Sequence, residues 1–252
     1  MRLIVGITGA TGAPFGVRLL ELLHDVAGVE THLVLSRWAR STIELEAPYT
    51  AREVARLADV SYGPGDQAAA ISSGSFRTDG MIIAPCSMKT LAGIRTGYAD
   101  NLLLRAADVV LKERRKLVLV PRETPLSEIH LDNMLVLVRM GAVMVPPMPA
   151  FYNHPASVAD IVDHVAMRVL DQFGLNAAIV PRWAGLADAR RHLSDRTEPA
   201  VPDTADRTGS RDGGGHPSPT PSRLERLCAD PGRLMETAHL AKPGPTAVKE
   251  TT

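Results

Sequence analysis

The chain has 252 residues, of which 45% are hydrophobic and 22% are charged, so it is long and apolar enough to form one sizeable core. Lysine plus arginine and aspartate plus glutamate both number 28, and this zero net charge lacks the basic excess typical of nucleic-acid binders. No apolar run approaches the ~20 residues of a membrane span, and the N-terminus is a poor secretory signal. We therefore expect a cytoplasmic location, with neither nucleic acid nor a membrane as partner.

Up to residue 184, short apolar runs alternate with amphipathic stretches. The runs are rich in Val, Ile and Leu, and they lie at 2–8, 31–36, 80–85, 116–121 and 142–147. Continuous apolar runs of this kind are typical of parallel strands that are covered on both faces. The stretches between them repeat apolar residues at helical spacing, for example Val17, Leu20 and Leu23. The alternation predicts a doubly wound α/β fold with three αβα layers, in which ligands bind at the carboxyl ends of the strands.

The composition changes near residue 184. Eight of the 19 prolines lie between Ala184 and Thr252, among glycines and charged residues without apolar periodicity. Such a segment buries too little apolar surface to offset the entropy of ordering. We predict one folded domain at 1–184 and a mostly disordered tail at 185–252, in which a short helix around 223–239 is the one candidate element.

A glycine-rich loop, Thr8–Gly12, follows the first predicted strand and leads into the first helix. Glycines let the backbone approach an anion, and the helix N-terminus offers free N–H groups. A triphosphate loop would need Gly-Lys-Ser/Thr, but no lysine precedes Lys89. A dinucleotide site would need glycine at Phe15 and an acidic residue where the second strand ends in Ser36 and Arg37. A hydroxyl and a guanidinium favour a phosphate instead; a turn made only for close packing is the remaining alternative.

Polar residues follow the third predicted strand as well. Residues 86–90, Cys-Ser-Met-Lys-Thr, open another helix, and their hydroxyls suit helix capping and ligand binding. Just before this strand, the segment 72–75 has the sequence Ser-Ser-Gly-Ser. It is interpreted either as a flexible loop over the pocket or as an ordinary polar turn.

Charged residues gather at the fourth predicted strand. Arg122 and Glu123 end that strand, and Arg105 and Lys112 precede it by one helix. Seven residues are about two turns, so both of these cations should project from one helix face. The histidines are scattered without metal-ligand spacing, and we expect no metal. The residues together predict a metal-free site for a phosphorylated cofactor and a second phosphorylated substrate.

Three segments, 6–20, 85–123 and 127–165, resemble the UbiX-type flavin prenyltransferases, most closely the branch whose members are known as subunits of non-oxidative hydroxyarylic acid decarboxylases. The resemblance covers roughly 1–185. It implies a flavodoxin-like or Rossmann-like fold, bound flavin mononucleotide (FMN) and a homododecamer. It also implies an activity that joins the dimethylallyl group of dimethylallyl monophosphate to N5 and C6 of reduced FMN, without a metal. The prenylated FMN would serve a UbiD-type decarboxylase.

The resemblance assigns site residues position by position. Thr11 stands where the family commonly has serine, and Met88-Lys89 stands where it often has Thr-Gly. Glu46 matches an acidic residue near the reacting atoms, which would help move the N5 proton; a solvated helix residue is the alternative. The cofactor-binding positions implied are Gly9, Ala10, Thr11, Ser36, Ser87, Met88, Lys89, Thr90 and Arg122.

Other charged and aromatic positions match the part of the family's site that binds the prenyl phosphate. Tyr152 and Arg168 match the pair that holds the phosphate, although Tyr152 could merely pack. Lys112 and Arg122, with Thr11 and Glu46, are the expected catalytic residues. The remaining substrate-binding positions implied are Arg105, Glu123 and Trp183.

Three other functions stay open at this stage. The chain could be a non-catalytic, FMN-binding component of a hydroxyarylic acid decarboxylase complex. A related flavoprotein that oxidatively decarboxylates cysteine residues would have the same fold, but it carries histidine where this chain has Pro14 and Phe15. An NAD-dependent dehydrogenase is disfavoured because Ser36, and not an acidic residue, ends the second strand.

Overall fold

The computed structural model describes residues 1–177 and 179–186. The tail beyond them, including the candidate helix at 223–239, lies outside the described residues. Six strands form one sheet in the order β3-β2-β1-β4-β5-β6, and every neighbouring pair is parallel. The strands are β1 (Arg2–Ile7), β2 (Glu30–Leu35), β3 (Val60–Tyr62), β4 (Gly80–Cys86), β5 (Lys116–Pro121) and β6 (Val143–Met144).

Seven α-helices cover the two faces of this sheet in the described part of the chain. They are α1 (Ala13–His24), α2 (Arg37–Glu46), α3 (Ala51–Ala55), α4 (Met88–Thr96), α5 (Leu102–Lys112), α6 (Glu128–Arg139) and α7 (Val158–Asp171). One apolar cluster joins α1, α2, α3 and α7 to one face, and a second joins α4, α5 and α6 to the other. The three αβα layers and the parallel sheet confirm the predicted fold class.

The strand order places a crevice between β1 and β4, because the chain runs outward from β1 in both directions. With β3 the order is that of a Rossmann sheet; without this three-residue edge strand it is the flavodoxin-like order 2-1-3-4-5. The loops that follow β1, β2, β4 and β5 therefore meet at one edge of the sheet.

Six of the seven described helices begin with a side-chain cap. Side chains of Ser36, Thr50, Ser87, Asn101, Ser127 and Ser157 accept a hydrogen bond from the first turn of the helices α2 to α7, respectively. Helix α1 differs, since its N-cap is Gly12 at φ 103°, a conformation that glycine adopts without strain. The exposed N–H groups of α1 thus need a partner from elsewhere.

Candidate active site

The crevice contains a cavity of about 560 Å³, a volume in the usual range for a small-molecule site. Ten residues predicted from the sequence line it: Gly9, Ala10, Thr11, Ser36, Ser87, Met88, Lys89, Thr90, Arg122 and Glu123. The structure therefore brings together the glycine-rich loop, the residues after β2, the loop after β4 and the charged end of β5.

The first loop is tied to the loop after β4 by one buried hydroxyl. Thr8 Oγ1 donates to the Pro85 carbonyl at 2.7 Å and accepts from the Ser87 N–H at 3.0 Å. Beyond Thr8 the chain passes close to α2, where a Cβ built on Gly9 would overlap the side chain of Trp38. Only glycine fits this close approach. Because glycine has no side chain, its backbone also remains accessible from the cavity.

Glu46 supplies the missing cap of α1. Its Oε2 accepts hydrogen bonds from the backbone N–H groups of Gly12 at 2.7 Å and Ala13 at 3.0 Å. Its carboxylate lies beside the glycine-rich loop without lining the cavity, as far as the described residues show. Glu46 is therefore not a purely solvated helix residue, and it fixes the loop that the sequence assigns to the cofactor.

Helix N-termini converge on the cavity from three directions. The residues Thr11, Ser36 and Ser87 lie at the starts of α1, α2 and α4, and all three line it. Ser36 Oγ accepts from Ala39 N–H at 3.2 Å, and Ser87 Oγ accepts from Thr90 N–H at 3.3 Å. At α1 the Glu46 carboxylate already accepts from the first N–H groups, so the partial positive charges of α2 and α4 are the ones left to favour an anionic group such as a phosphate.

Other lining residues were not assigned to the site from the sequence: Trp38, Pro64, Asn101, Leu103 and Leu104. Trp38 leaves 69% of its surface exposed beside the cavity, although it is a large aromatic residue. Asn101 carries a readable signal, because an asparagine before an amphipathic run is a typical N-cap, and its side chain accepts from the Leu104 N–H at 3.1 Å. The other four residues reach the cavity through tertiary packing, which no local sequence pattern indicates.

Cys86 ends β4 next to these residues but faces the core. It is fully buried, and this burial raises the pKa of its thiol to about 12. A thiol with such a pKa is not a nucleophile at neutral pH.

A second group of predicted residues lies around α7, away from the lining of the crevice. The rings of Tyr152 and Trp183 meet edge to face with centroids 5.4 Å apart, and Tyr152 Oη is 3.4 Å from His164 Nε2. Arg168 donates to Asp171 Oδ2 at 2.7 Å. Tyr152 therefore packs against aromatic neighbours while 47% of its surface stays exposed.

A third group lies on α5. Arg105 Nε donates to the Ser72 carbonyl at 3.0 Å, and a Cβ built on Gly74 would lie 2.8 Å from Lys112 Nζ. Both cations thus project from one face of α5, as their spacing predicts. Each also pairs with a carboxylate, Arg105 with Asp108 at 2.7 Å and Lys112 with Glu113.

The segment 72–75 packs against α5 and is not among the described residues that line the crevice. Ser73 and Ser75 share a hydrogen bond between their hydroxyls at 2.9 Å, and Arg115 donates to the Gly74 carbonyl at 2.7 Å. Of the two interpretations of this segment, the structure favours the ordinary polar turn.

Within 1–177 and 179–186, no three His, Cys, Asp or Glu side chains are grouped so that they could hold a metal ion. Among the helices of the same residues, none combines the length and the apolar character that crossing a membrane requires.

The fold and the crevice define an α/β protein built to bind a phosphorylated cofactor at the switch point of its sheet. Comparison with known proteins agrees, since the family model described as Flavoprotein matches residues 1–170. A relative described as a probable UbiX-like flavin prenyltransferase, from Streptomyces sp. (strain D7), is 73% identical over 190 residues, which are 75% of this chain and 95% of that relative.

Two solved structures are similar over nearly their whole length. One is described as a dodecameric FMN-dependent Ubix-like decarboxylase from Escherichia coli O157:H7. It is 72% identical in sequence with a TM-score of 0.73, and the match covers 73% of this chain and 100% of that chain. The other, AnUbiX (PadA1), is described as a complex with FMN and dimethylallyl pyrophosphate; it has 54% identity and a TM-score of 0.72, and the match covers 73% and 98%. The chain belongs to the flavoprotein family and, within it, to the UbiX-like flavin prenyltransferases.

Proposed function

We propose that this protein transfers the dimethylallyl group of dimethylallyl monophosphate to N5 and C6 of reduced FMN, and that a UbiD-type decarboxylase uses the prenylated FMN. The observation that carries the proposal is the convergence of the glycine-rich loop and the N-termini of α2 and α4, with Arg122 and Lys89, on one cavity of about 560 Å³. The relative solved with FMN and dimethylallyl pyrophosphate supports the pairing of these two ligands.

The residues at the crevice fit the phosphate and ring of FMN. Gly9 leaves backbone accessible where a side chain would collide with Trp38, and Ser36, Ser87 and Thr90 present hydroxyls at helix starts. When bound in its reduced form, FMN would supply the nucleophilic N5 and C6 atoms. The chain's own part is to hold the phosphate at the helix N-termini and to leave one side of the cavity open for the prenyl donor.

Cations and donors stabilise the leaving phosphate in this proposal. An allylic phosphate departs as an anion, and fixed positive charges near its oxygen atoms lower the barrier most when they are already in place. Arg122 lines the crevice, and its backbone N–H donates to the Cys86 carbonyl at 3.1 Å, which fixes its position at the end of β5. Thr11 adds a hydroxyl at the glycine-rich loop, and Glu46 moves the N5 proton from its place beside that loop.

We propose that neighbouring copies of the chain complete the prenyl-phosphate site. Tyr152 and Arg168 on one side, and Arg105 and Lys112 on another, do not line the crevice cavity among the described residues. We propose a homododecamer, as described for the relative from Escherichia coli O157:H7, in which adjacent copies bring these groups to one crevice. Glu123, at the rim of each cavity, and Trp183, next to Tyr152, then border the prenyl donor. A cytoplasmic location stays a prediction from composition.

An anaerobic incubation tests the function. Purified protein is mixed with reduced FMN and dimethylallyl monophosphate, and the flavin is released and weighed by mass spectrometry. We expect a flavin heavier by one prenyl unit, and unmodified flavin when the donor is left out. Unmodified flavin in the complete mixture, with a competent homologue active alongside, would contradict the proposal and favour a protein that only carries FMN.

A further inference from the structure

His164 makes a contact that the function described so far does not use. It lies on α7 one turn before Arg168, so both side chains project from the same side of the helix. Its Nε2 is 3.4 Å from Tyr152 Oη, and the two rings meet edge to face with centroids 6.1 Å apart. Tyr152 is thus held between His164 and Trp183, whose ring contacts it from a separate segment.

The second nitrogen of His164 faces the interior. His164 Nδ1 and Asn153 Nδ2 are buried, and neither has a hydrogen-bond partner among the described residues. Both residues line a cavity of about 190 Å³, which is ample for solvent at about 30 Å³ per water molecule. The two nitrogen atoms themselves have almost no accessible surface, so an N–H at His164 Nδ1 would be a buried donor without an acceptor among the described residues, which is costly.

The imidazole of His164 is neutral near pH 7. Burial lowers its pKa, and the positive charge of Arg168 lowers the pKa further, while Asp171 opposes them. Asp160 and Asp163 face the same cavity. A neutral imidazole has one N–H and one acceptor nitrogen, so whichever nitrogen carries the proton decides what the Tyr152 hydroxyl can do.

We propose that His164 is a positioning residue whose Nε2–H donates to Tyr152 Oη and thereby leaves the Tyr152 O–H to donate to the phosphate of the prenyl donor. The inference rests on the proposed function. With the opposite tautomer, Tyr152 would give its proton to Nε2 and turn only lone pairs toward an anion, which is repulsive. A hydrogen bond to a charged phosphate is the stronger one, so a bound phosphate selects the Nε2–H tautomer. Nδ1 is then the unprotonated nitrogen, so no N–H donor is left buried without a partner at this position.

A double-mutant cycle tests this arrangement. We would prepare Tyr152→Phe, His164→Ala and the double variant in the FMN-loaded protein, and measure the affinity for dimethylallyl monophosphate by calorimetry, together with kcat and KM. Tyr152→Phe loses a hydrogen bond to a charged phosphate and should weaken donor binding about 10- to 150-fold, whereas His164→Ala loses a neutral one and should weaken it about 2- to 10-fold. The double variant should bind no worse than Tyr152→Phe, and KM should change more than kcat.

Two further variants separate positioning from simple structural support. His164→Gln can place an amide N–H near the position of Nε2, and it should restore most of the donor affinity. His24→Ala, a histidine replacement at the exposed end of α1, should leave donor affinity unchanged. FMN retention should be equal in all variants, because His164 is not among the described residues that line the crevice. If His164→Ala does not fold, His164→Asn, which is too short to reach Tyr152, replaces it in the cycle.

The positioning role would be overturned if the losses of donor affinity in the two single variants were additive in the double variant, or if His164→Gln did not restore affinity. In either case the wild-type protein would still bind the donor and prenylate FMN. A wild-type protein that retains FMN but neither binds nor consumes dimethylallyl monophosphate would overturn the proposed function itself. The wild-type measurement therefore tells the two failures apart.

Discussion

Removing the Glu46 carboxylate should loosen the glycine-rich loop of the crevice. Its Oε2 accepts from Gly12 N–H at 2.7 Å and Ala13 N–H at 3.0 Å, and Gly12 has no side chain that could cap α1. Hydrogen bonds to a charged group contribute about 1.5–3 kcal/mol each, and a carboxylate at a helix N-terminus adds about 0.3–1 kcal/mol. In this half-buried site, water can replace part of the lost hydrogen bonding. Glu46→Ala should therefore lower the free energy of unfolding by about 2 kcal/mol.

The matched variant is Glu46→Gln, whose amide oxygen still accepts from both N–H groups. It loses only the charge, so the free energy of unfolding should fall by no more than about 1 kcal/mol. For a domain of this size, about 2 kcal/mol corresponds to a decrease of about 4–8 °C in Tm, which circular dichroism resolves. The affinity for FMN, measured by flavin fluorescence, should decrease in Glu46→Ala and remain unchanged in Glu46→Gln.

The two variants also address the proton that Glu46 is proposed to move. A glutamine cannot take up a proton, so Glu46→Gln should slow prenyl transfer about 10²- to 10⁴-fold while FMN stays bound. An unchanged Tm and FMN affinity in Glu46→Ala would refute the capping argument. An unchanged rate in Glu46→Gln would show that the carboxylate acts only as a cap.

Three other predictions follow from burial and close packing. A Cβ on Gly16 would overlap a carbonyl oxygen of β4, so Gly16→Ala should cost about 1–3 kcal/mol, whereas Gly63→Ala, which meets nothing, should cost little; equal losses would contradict this. Replacing the other cysteine, Cys228→Ser, leaves Cys86 as the one thiol to follow. Its pKa of about 12 leaves about one thiol in ten thousand ionised at pH 8. Alkylation should therefore be more than about 100-fold slower in native than in unfolded protein, and equal rates would contradict the burial. Burial lowers the pKa of His32, so unfolded chains bind its proton first, and stability should fall as pH drops below about 6.5; His32→Gln should flatten this slope, and an identical slope would refute the assignment.

The sequence predicts five of the six strands because each of the five contributes a continuous apolar run to a sheet covered on both faces. It misses β3, since Val60–Tyr62 is too short for periodicity and pairs only with β2 at the sheet edge. It also extends the last strand to 142–147, whereas β6 is Val143–Met144. Pro146 and Pro147 explain that difference, because proline has no N–H to donate to a neighbouring strand.

The crevice is predictable for a different reason. Parallel strands place the loops after their carboxyl ends at one edge, so residues far apart in sequence, such as Thr11, Ser87 and Arg122, can be assigned to one site without knowing any contact. Trp38 and Leu103 reach the same cavity through the packing of helices, which no local pattern encodes. Glu46 differs again, because only the family resemblance assigns it to the site, near the reacting atoms. Its double hydrogen bond to the start of α1 becomes visible only in the structure.

The two arginines that pair with Asp171 differ in how readily they can change partners. Arg168 bonds to Asp171 Oδ2 at 2.7 Å, so a phosphate must compete with that carboxylate. Arg182 already contacts both oxygens of Asp171, at 2.6 and 3.0 Å, and together these guanidinium groups lower the pKa of Asp171. Because Arg182 alone keeps Asp171 paired, Arg168 can turn to a phosphate without leaving an isolated carboxylate. Arg168 can therefore release Asp171 at little electrostatic cost, whereas Arg182 stays bound to that carboxylate.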